Sequence, residues 1–224
     1  LELTETLDMP KSTIHRHLAT LRKYGHVQME DDEYHVGFWF LELGEYTRNR
    51  KEAYRLAEQP VNTLAEETGE RAQFVVEEQG EGIYLHVETG QHAVRTGVSV
   101  GHRVHLHSTS AGKMIMSQLP SDRVDEILDG QELPAMTEET ITDAKSLKSQ
   151  LSEIRERGYA LNREENINGL RAVSAPVTDE NDEFIGVLSV SGPSHRMKGE
   201  WFQSGLPNLV LGTANEFELR IAYA

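Results

Sequence analysis

The chain has 224 residues, 38% of them hydrophobic, and a formal charge of −15 from 22 basic and 37 acidic side chains with 10 histidines neutral. That length fits one large domain, or a small domain joined to a larger one. No run reaches the roughly 18 apolar residues of a membrane helix and nothing reads as a signal peptide, so a cytoplasmic protein with no membrane partner is expected. There is no cysteine, which excludes disulfides, thiolate metal sites, iron–sulfur clusters and a cysteine nucleophile.

A protein this acidic should on average repel nucleic acid. The charge is unevenly spread, however. Residues 1–50 net −3 and the remainder −12, while residues 10–27 hold four basic side chains, three histidines and no acid. Lysines number only seven. An acid-rich, lysine-poor surface fits work in concentrated salt, with an ordinary acidic protein as the plainer alternative.

Leu1, Leu3 and Leu7 begin the chain in a helical pattern, and DMPKSTIHRHLATLRKYG follows over residues 8–25. Pro10 is tolerated in a first helical turn, Ile14, Leu18 and Leu21 form one apolar stripe, and Gly25 suits a C-cap. Two short helices around a turn at Asp8–Met9 outline a helix-turn-helix. The second helix is the element expected in a DNA major groove. Lys11, Ser12, Thr13, His15 and Arg16 in its early turns, with Arg22 and Lys23 further on, are the donors that phosphates and base edges accept. Val27, Met29, Tyr34 and Val36 alternate around the acidic turn Glu30–Glu33, which predicts a hairpin, the wing of a winged helix. The plainer reading is a small helical domain with a solvated charged face.

Residues 38–50 predict a linker helix whose Phe38, Phe40, Leu41 and Leu43 want a partner. A further helix, with Pro60 at a start or kink, ends at Gly69. Beyond Glu70 the spacing predicts a hairpin from Phe74 to Val87 turning at Gln79–Gly82, a strand over 93–100, and a helix over 108–119. Amphipathic helices over 121–129 and 143–157 and a second hairpin over 172–190 follow. A last helix over 201–222 is broken near Pro207. Strand pairs separated by helices give an α+β fold with a mainly antiparallel sheet.

Helices covering one side of such a sheet often leave a cleft at its open face, and three segments are candidates to line one. They are His105–Lys113, with Ser108, Thr109, Ser110, Gly112 and Lys113; the stretch from Asn162 through Arg171; and Ser189 with Ser191, two apart on one strand and so on one face. Such hydroxyl, amide and basic groups suit a small polar ligand such as a carboxylate. His105 and His107, read as sharing a strand face, are weak metal candidates, but HExxH is missing. Gly112–Lys113 lacks the rest of a P-loop, and GVLSVSG lacks the G-x-S-x-G spacing. No enzyme activity and no cofactor are expected.

The segments MPKSTIHRHLATL, YHVG, FLELG, AEETGE, LHSTSAGK, RERGYALNREENINGLRAVSAPV and GVLSVSGPSHR occur in this order. With them the chain resembles the IclR-type bacterial and archaeal transcriptional regulators over essentially its full length, and the composition suggests a halophilic archaeon. The resemblance implies a winged helix-turn-helix domain (1–37, with a first helix upstream of Leu1), a linker helix (38–52) and a GAF-like effector-binding domain (53–224). It implies dimers or dimers of dimers on a near-palindromic operator in double-stranded DNA, controlled by a small organic metabolite such as a carboxylic, aromatic or sugar-derived acid. Asn162, Ala172, Ser189 and Ser191 fall at effector-pocket positions, bordered by Ser108–Lys113. Asn162 stands where Asp is frequent, Ala172 where a polar or sulfur-bearing residue is, and His17 where Leu is usual. A small-molecule sensor or interaction module with weak or lost DNA binding is the alternative function.

Overall fold

The computed structural model describes residues 2–94 and 97–224. The chain divides into two compact units, Leu1–Lys51 and Glu52–Ala224; the linker helix therefore groups with the first unit.

In the first unit α1 (Glu2–Leu7) leads through Asp8, at φ 48°, into α2 (Lys11–Lys23). Gly25, at φ 73°, ends α2: its N–H bonds Arg22 O, and the next N–H, of His26, bonds Leu21 O. Strands β1 (Val27–Glu30) and β2 (Glu33–Val36) pair in register about a two-residue turn. Asp31 and Asp32 both have positive φ there, the requirement of a I′ turn. The chain then closes on the end of α2 through Gly37, whose N–H bonds His26 O and whose Cβ would lie 1.9 Å from Gly25 O. Helix α3 (Trp39–Arg48) follows. The stripe expected on α2 is only partly covered: Ile14 is buried, Leu18 half-buried and Leu21 exposed.

In the second unit α4 (Glu52–Leu56) and α5 (Glu58–Thr68) precede β3 (Arg71–Glu78), β4 (Glu81–Thr89) and β5 (Arg103–His105). Helices α6 (Ser110–Gln118), α7 (Ser121–Gly130) and α8 (Ala144–Arg157) lead to β6 (Ala160–Arg163), β7 (Leu170–Thr178) and β8 (Phe184–Pro193). A single π-helical turn (Trp201–Gly205) runs into α9 (Leu206–Ala222), with Pro207 in its first turn instead of breaking it midway. The strand order is β5-β4-β3-β8-β7-β6, and every neighbouring pair is antiparallel. This is the expected α+β class.

Two expectations change. The segment 93–100 forms turns and bends among its described residues, Arg95 and Thr96 lying outside them, and the strand falls at Arg103–His105. Two glycines fall in the stretch 97–102, and Gly97 and Gly101 take left-handed φ, which a regular strand does not accommodate. Asn162 and Arg163, expected as cleft lining, lie with Ala160 and Leu161 in the edge strand β6.

Helices also cover both faces of the sheet, so the expected open face does not exist. Period-two alternation explains why. Phe74, Val76, Ile83, Leu85, Val173, Ala175, Leu188 and Val190 point to one side and pack with Leu64, Val210 and Phe217 of α5 and α9. Val75 and Val187 point to the other, against Met114, Ile115 and Leu151 of α6 and α8.

Helix α6 sits unusually close to the chain before it. A Cβ built on Gly112 meets Leu106 Cα and O at 2.3 Å, backbone that cannot swing aside. Gly112→Ala is therefore expected to lower unfolding free energy by about 1–3 kcal/mol in urea titration. Gly130→Ala, at the open end of α7, should be tolerated.

Candidate functional site: the polar end of the sheet and the exposed face of α2

The α6 side of the sheet changes character along its strands. Val75 and Val187 are hydrocarbon, but two residues on, Gln73 faces Ser189, and two further, Arg71 faces Ser191. Ser174 and Ala172 continue this surface on β7, and Asn162 on β6. All of these are at least nine-tenths buried. Such groups are costly away from water unless bonded, and a directed network bonds them. Ser110 of α6 meets Ser174 Oγ at 2.6 Å, Ser174 donates to Ser189 (2.8 Å), and Ser189 donates to Val173 O (3.2 Å). Arg71 donates to Ser191 Oγ through Nε and Nη2 at 3.2 and 3.1 Å, and Gln73 Nε2 donates to Ser189 and Ser191 at 3.2 and 3.3 Å.

These residues surround a cavity of about 30 Å³, lined also by Tyr84, Thr109, Ala111, Asn166 and Leu170. Burial pushes the Arg71 guanidinium down from its ordinary value, though the Tyr84 hydroxyl pulls part of the way back. Burial pushes the Tyr84 phenol up, with Arg71 opposing, so Tyr84 is a neutral hydroxyl at neutral pH. Of the sequence-stated candidates, Thr109, Ser110, Asn162, Ala172, Ser189 and Ser191 meet at this cavity.

Ser108, Gly112 and Lys113 stand behind it. Thr109 caps α6 by accepting from Gly112 N (2.9 Å), and Asn162 Nδ2 donates to Ser108 O (2.5 Å). Lys113 is fully buried and its ammonium is bonded to Glu165. Burial pushes Lys113 down and the Glu165 carboxylate draws it back up. This pair holds the segment 164–169 over the end of α6, helped by Ser108 donating to Asn166 Oδ1 (3.2 Å). Thr137 and Thr140 add bonds to the carbonyls of Glu164 and Glu165 at 2.8 and 2.6 Å.

Arg71, Gln73 and Tyr84 escaped sequence reasoning. The available signal was polar side chains at i and i+2 in RAQFVV, the same spacing that singled out Ser189 and Ser191. The apolar alternation that marks β3 in the sequence begins only at Phe74, so the wall bearing Arg71 and Gln73 carries no strand signal of its own.

The histidine pair is corrected. Strand β5 ends at His105, so His105 and His107 do not share a strand face; the first is exposed and the second buried. Their rings are 5.6 Å apart, and one His107 ring nitrogen is 3.0 Å from Pro134 O. Among the described residues no group of three or more His, Asp or Glu is placed to hold a metal.

In the first unit the helical period places Ser12, Arg16 and Lys23 on the side of α2 opposite buried Ile14. All three are exposed, as are Lys11, His15 and Arg22, while Thr13 is half-buried.

The family described as bacterial transcriptional regulator IclR, C-terminal, matches residues 47–216. A probable HTH-type transcriptional regulator, ArcR, of Halobacterium salinarum is 35% identical over 100% of this chain and 86% of its own length. This chain belongs to the IclR family. The HTH-type regulator KdgR of Escherichia coli is 31% identical over 90% of the chain and 78% of its own length. The solved structure of the Thermotoga maritima IclR superposes with a TM-score of 0.83 at 28% identity, covering 99% of this chain and 90% of that one. The chain is thus a ligand-responsive, DNA-binding transcriptional regulator of that family. No helix among the described residues is long and apolar enough to cross a membrane.

Two outcomes are expected of the residues behind the cavity. Lys113→Met strands a buried carboxylate and should cost about 3–5 kcal/mol, whereas the double change with Glu165→Met should recover most of it; chemical denaturation of the three proteins measures both. Burial holds His107 below its ordinary value, despite the opposing bond to Pro134. The unfolded chain therefore takes up a proton first as pH falls. Stability from neutral His107 is complete above about pH 6.5 and declines below it. His107→Asn should flatten the decline in melting temperature between about pH 7 and 5 relative to the parent.

Proposed function

We propose that this IclR regulator binds a near-palindromic operator as a dimer or dimer of dimers, and that a small organic acid in the cavity between the sheet and α6 controls that binding. The observation that carries the reading is the buried polar end of the sheet, where an arginine, a glutamine and three serines converge on one small cavity. In a family of ligand-responsive regulators, such a convergence is the place for an effector's charged and hydroxylated groups. Thr109, Ser110, Asn162, Ala172, Ser189 and Ser191 contact the effector. Ser108, Gly112 and Lys113 shape the wall behind them.

On the DNA side Ser12, Arg16 and Lys23 face the groove, with Lys11, Thr13, His15 and Arg22 at its phosphate edges. Two copies of α2 read two half-sites one helical turn apart. The exposed apolar residues of the linker, Phe38 at 84%, Leu41 at 65% and Tyr46 at 78%, support self-association there. The effector acts only through its difference in affinity for the operator-binding and non-binding arrangements.

The regulator works in the cytoplasm of a halophile. Acid-rich, lysine-poor composition and the Halobacterium relative support this. Phosphate contacts weaken steeply with salt, so discrimination comes chiefly from base contacts. The acidic hairpin tip at Asp31–Asp32 favours a second reading, a sensor with weakened DNA binding.

Titration of the full-length protein against the DNA upstream of its own and neighbouring genes, across about 0.2 to 3 M potassium chloride, separates the two. Footprinted binding that persists at high salt is expected; an intact oligomer with no specific binding at any salt favours the sensor. Arg16→Ala should weaken operator affinity several-fold and reduce the salt slope by about one. Ser191→Leu should abolish the effector response while leaving operator binding in place.

A further inference from the structure

The hydrogen bonds at the cavity have a direction, and the direction specifies a ligand. Ser189 uses its proton on Val173 O and receives that of Ser174. Its remaining lone pair can only accept, so the Gln73 amide must present its N–H side to it, which matches the observed Nε2 contact. Gln73 Oε1 is then left aimed away from the serines. That oxygen is buried with no partner, on a side chain only 3% exposed that lines the cavity. A buried acceptor without a donor is destabilising, and a ligand hydroxyl would relieve it.

The adjoining position has the opposite character. Arg71 brings a positive charge to the same wall, two residues along β3, and shares Ser191 Oγ with Gln73. Because that oxygen accepts from both, the Ser191 proton is free to turn to an acceptor in the cavity. Side by side, the wall thus offers charged and neutral donors and one acceptor. The remaining lining is mostly hydroxyl and amide, with Ala111, Leu170 and Ala172 as its apolar members. An aromatic ring requires more hydrocarbon than that.

We propose that the Arg71–Gln73 face of β3 selects small aliphatic hydroxy acids, the carboxylate bound by Arg71 and Ser191 and the neighbouring hydroxyl donating to Gln73 Oε1. The proposal rests on the cavity being the effector site and goes further by naming what it reads. Gln73 is the specificity residue, because a simple carboxylate satisfies Arg71 but leaves the amide oxygen unmet.

The test uses the full-length protein with propionate, D- and L-lactate, D-glycerate and 4-hydroxybenzoate, followed by calorimetry and by operator titration. At least one hydroxy acid is expected to bind about tenfold or more tightly than propionate. In Gln73→Met that preference should vanish while propionate binds as before. Arg71→Gln should weaken all the aliphatic acids at least tenfold, and Arg71→Lys, which retains the charge, should recover part of the loss. Melting curves confirm that each variant is folded. Equal binding of lactate and propionate, no binding of any hydroxy acid, or a preference that survives Gln73→Met overturns the proposal. If 4-hydroxybenzoate alone binds and shifts operator affinity, the effector reading stands and the hydroxy-acid proposal falls. No heat and no change in operator affinity with any acid removes both.

Discussion

The α6 side of the central strands holds an arginine, a glutamine and three serines out of water, and much of the surrounding packing follows from that burden. Unbonded, each such group is expensive in a low-dielectric interior, and a network is stable only when nearly every member is satisfied. Helix α6 must therefore supply Ser110 to start the serine chain, and it must approach closely enough to do so. Gly112 permits that approach against the backbone of Leu106. The opposite side of the same strands stays hydrocarbon, with Phe74 and Phe217 edge to face at 5.9 Å. One sheet thus carries two unlike interiors, an oily one packed by hydrocarbon and a polar one bonded as a network.

The alternation that builds both interiors was legible in part. Ser189 and Ser191 stand out because two hydroxyls two apart on a strand share a face. Arg71 and Gln73 obey the same rule, but a charged residue beside Gly69 and Glu70 reads as the end of a loop, so the strand signal starts only at Phe74. Lys113 carried the opposite error. A lysine in a Ser-Ala-Gly-Lys run looks like an anion binder, and nothing in the spacing reveals that Glu165, fifty-two residues on, neutralises it. Element types follow from periodicity in most of the chain, including three hairpins whose turns hold positive-φ residues, at Asp31–Asp32, Gln79–Gly80 and Asp182. The segment 93–100 misled because Ala93, Val94, Val98 and Val100 look strand-like, while Gly97 and Gly101, in left-handed conformations, bend the chain there.

The first unit is made differently. It has almost no interior among its described residues, Ile14 being the one large apolar side chain of α2 that is buried. Its hairpin is held by turn chemistry and ladder bonds, with Asp31 and Asp32 in a conformation that aspartate tolerates better than most residues. That tolerance explains how so acidic a tip can be the hairpin turn: two adjacent positive-φ positions favour Asn, Asp and Gly, and this chain uses Asp at both.

The cavity beside Arg71 has room for a water or two, far below the roughly 300–1,000 Å³ of sites that enclose whole ligands. Its roof, the segment 164–169, is fastened by Lys113, Ser108, Thr137 and Thr140. On the effector reading proposed above, entry of a metabolite waits for those fasteners to part. At high ligand concentration the rate of occupation would then level off at the frequency with which the roof opens, a property of the protein and not of the ligand. Sensing would be paced from within, with brief surges of metabolite filtered out and sustained ones registered.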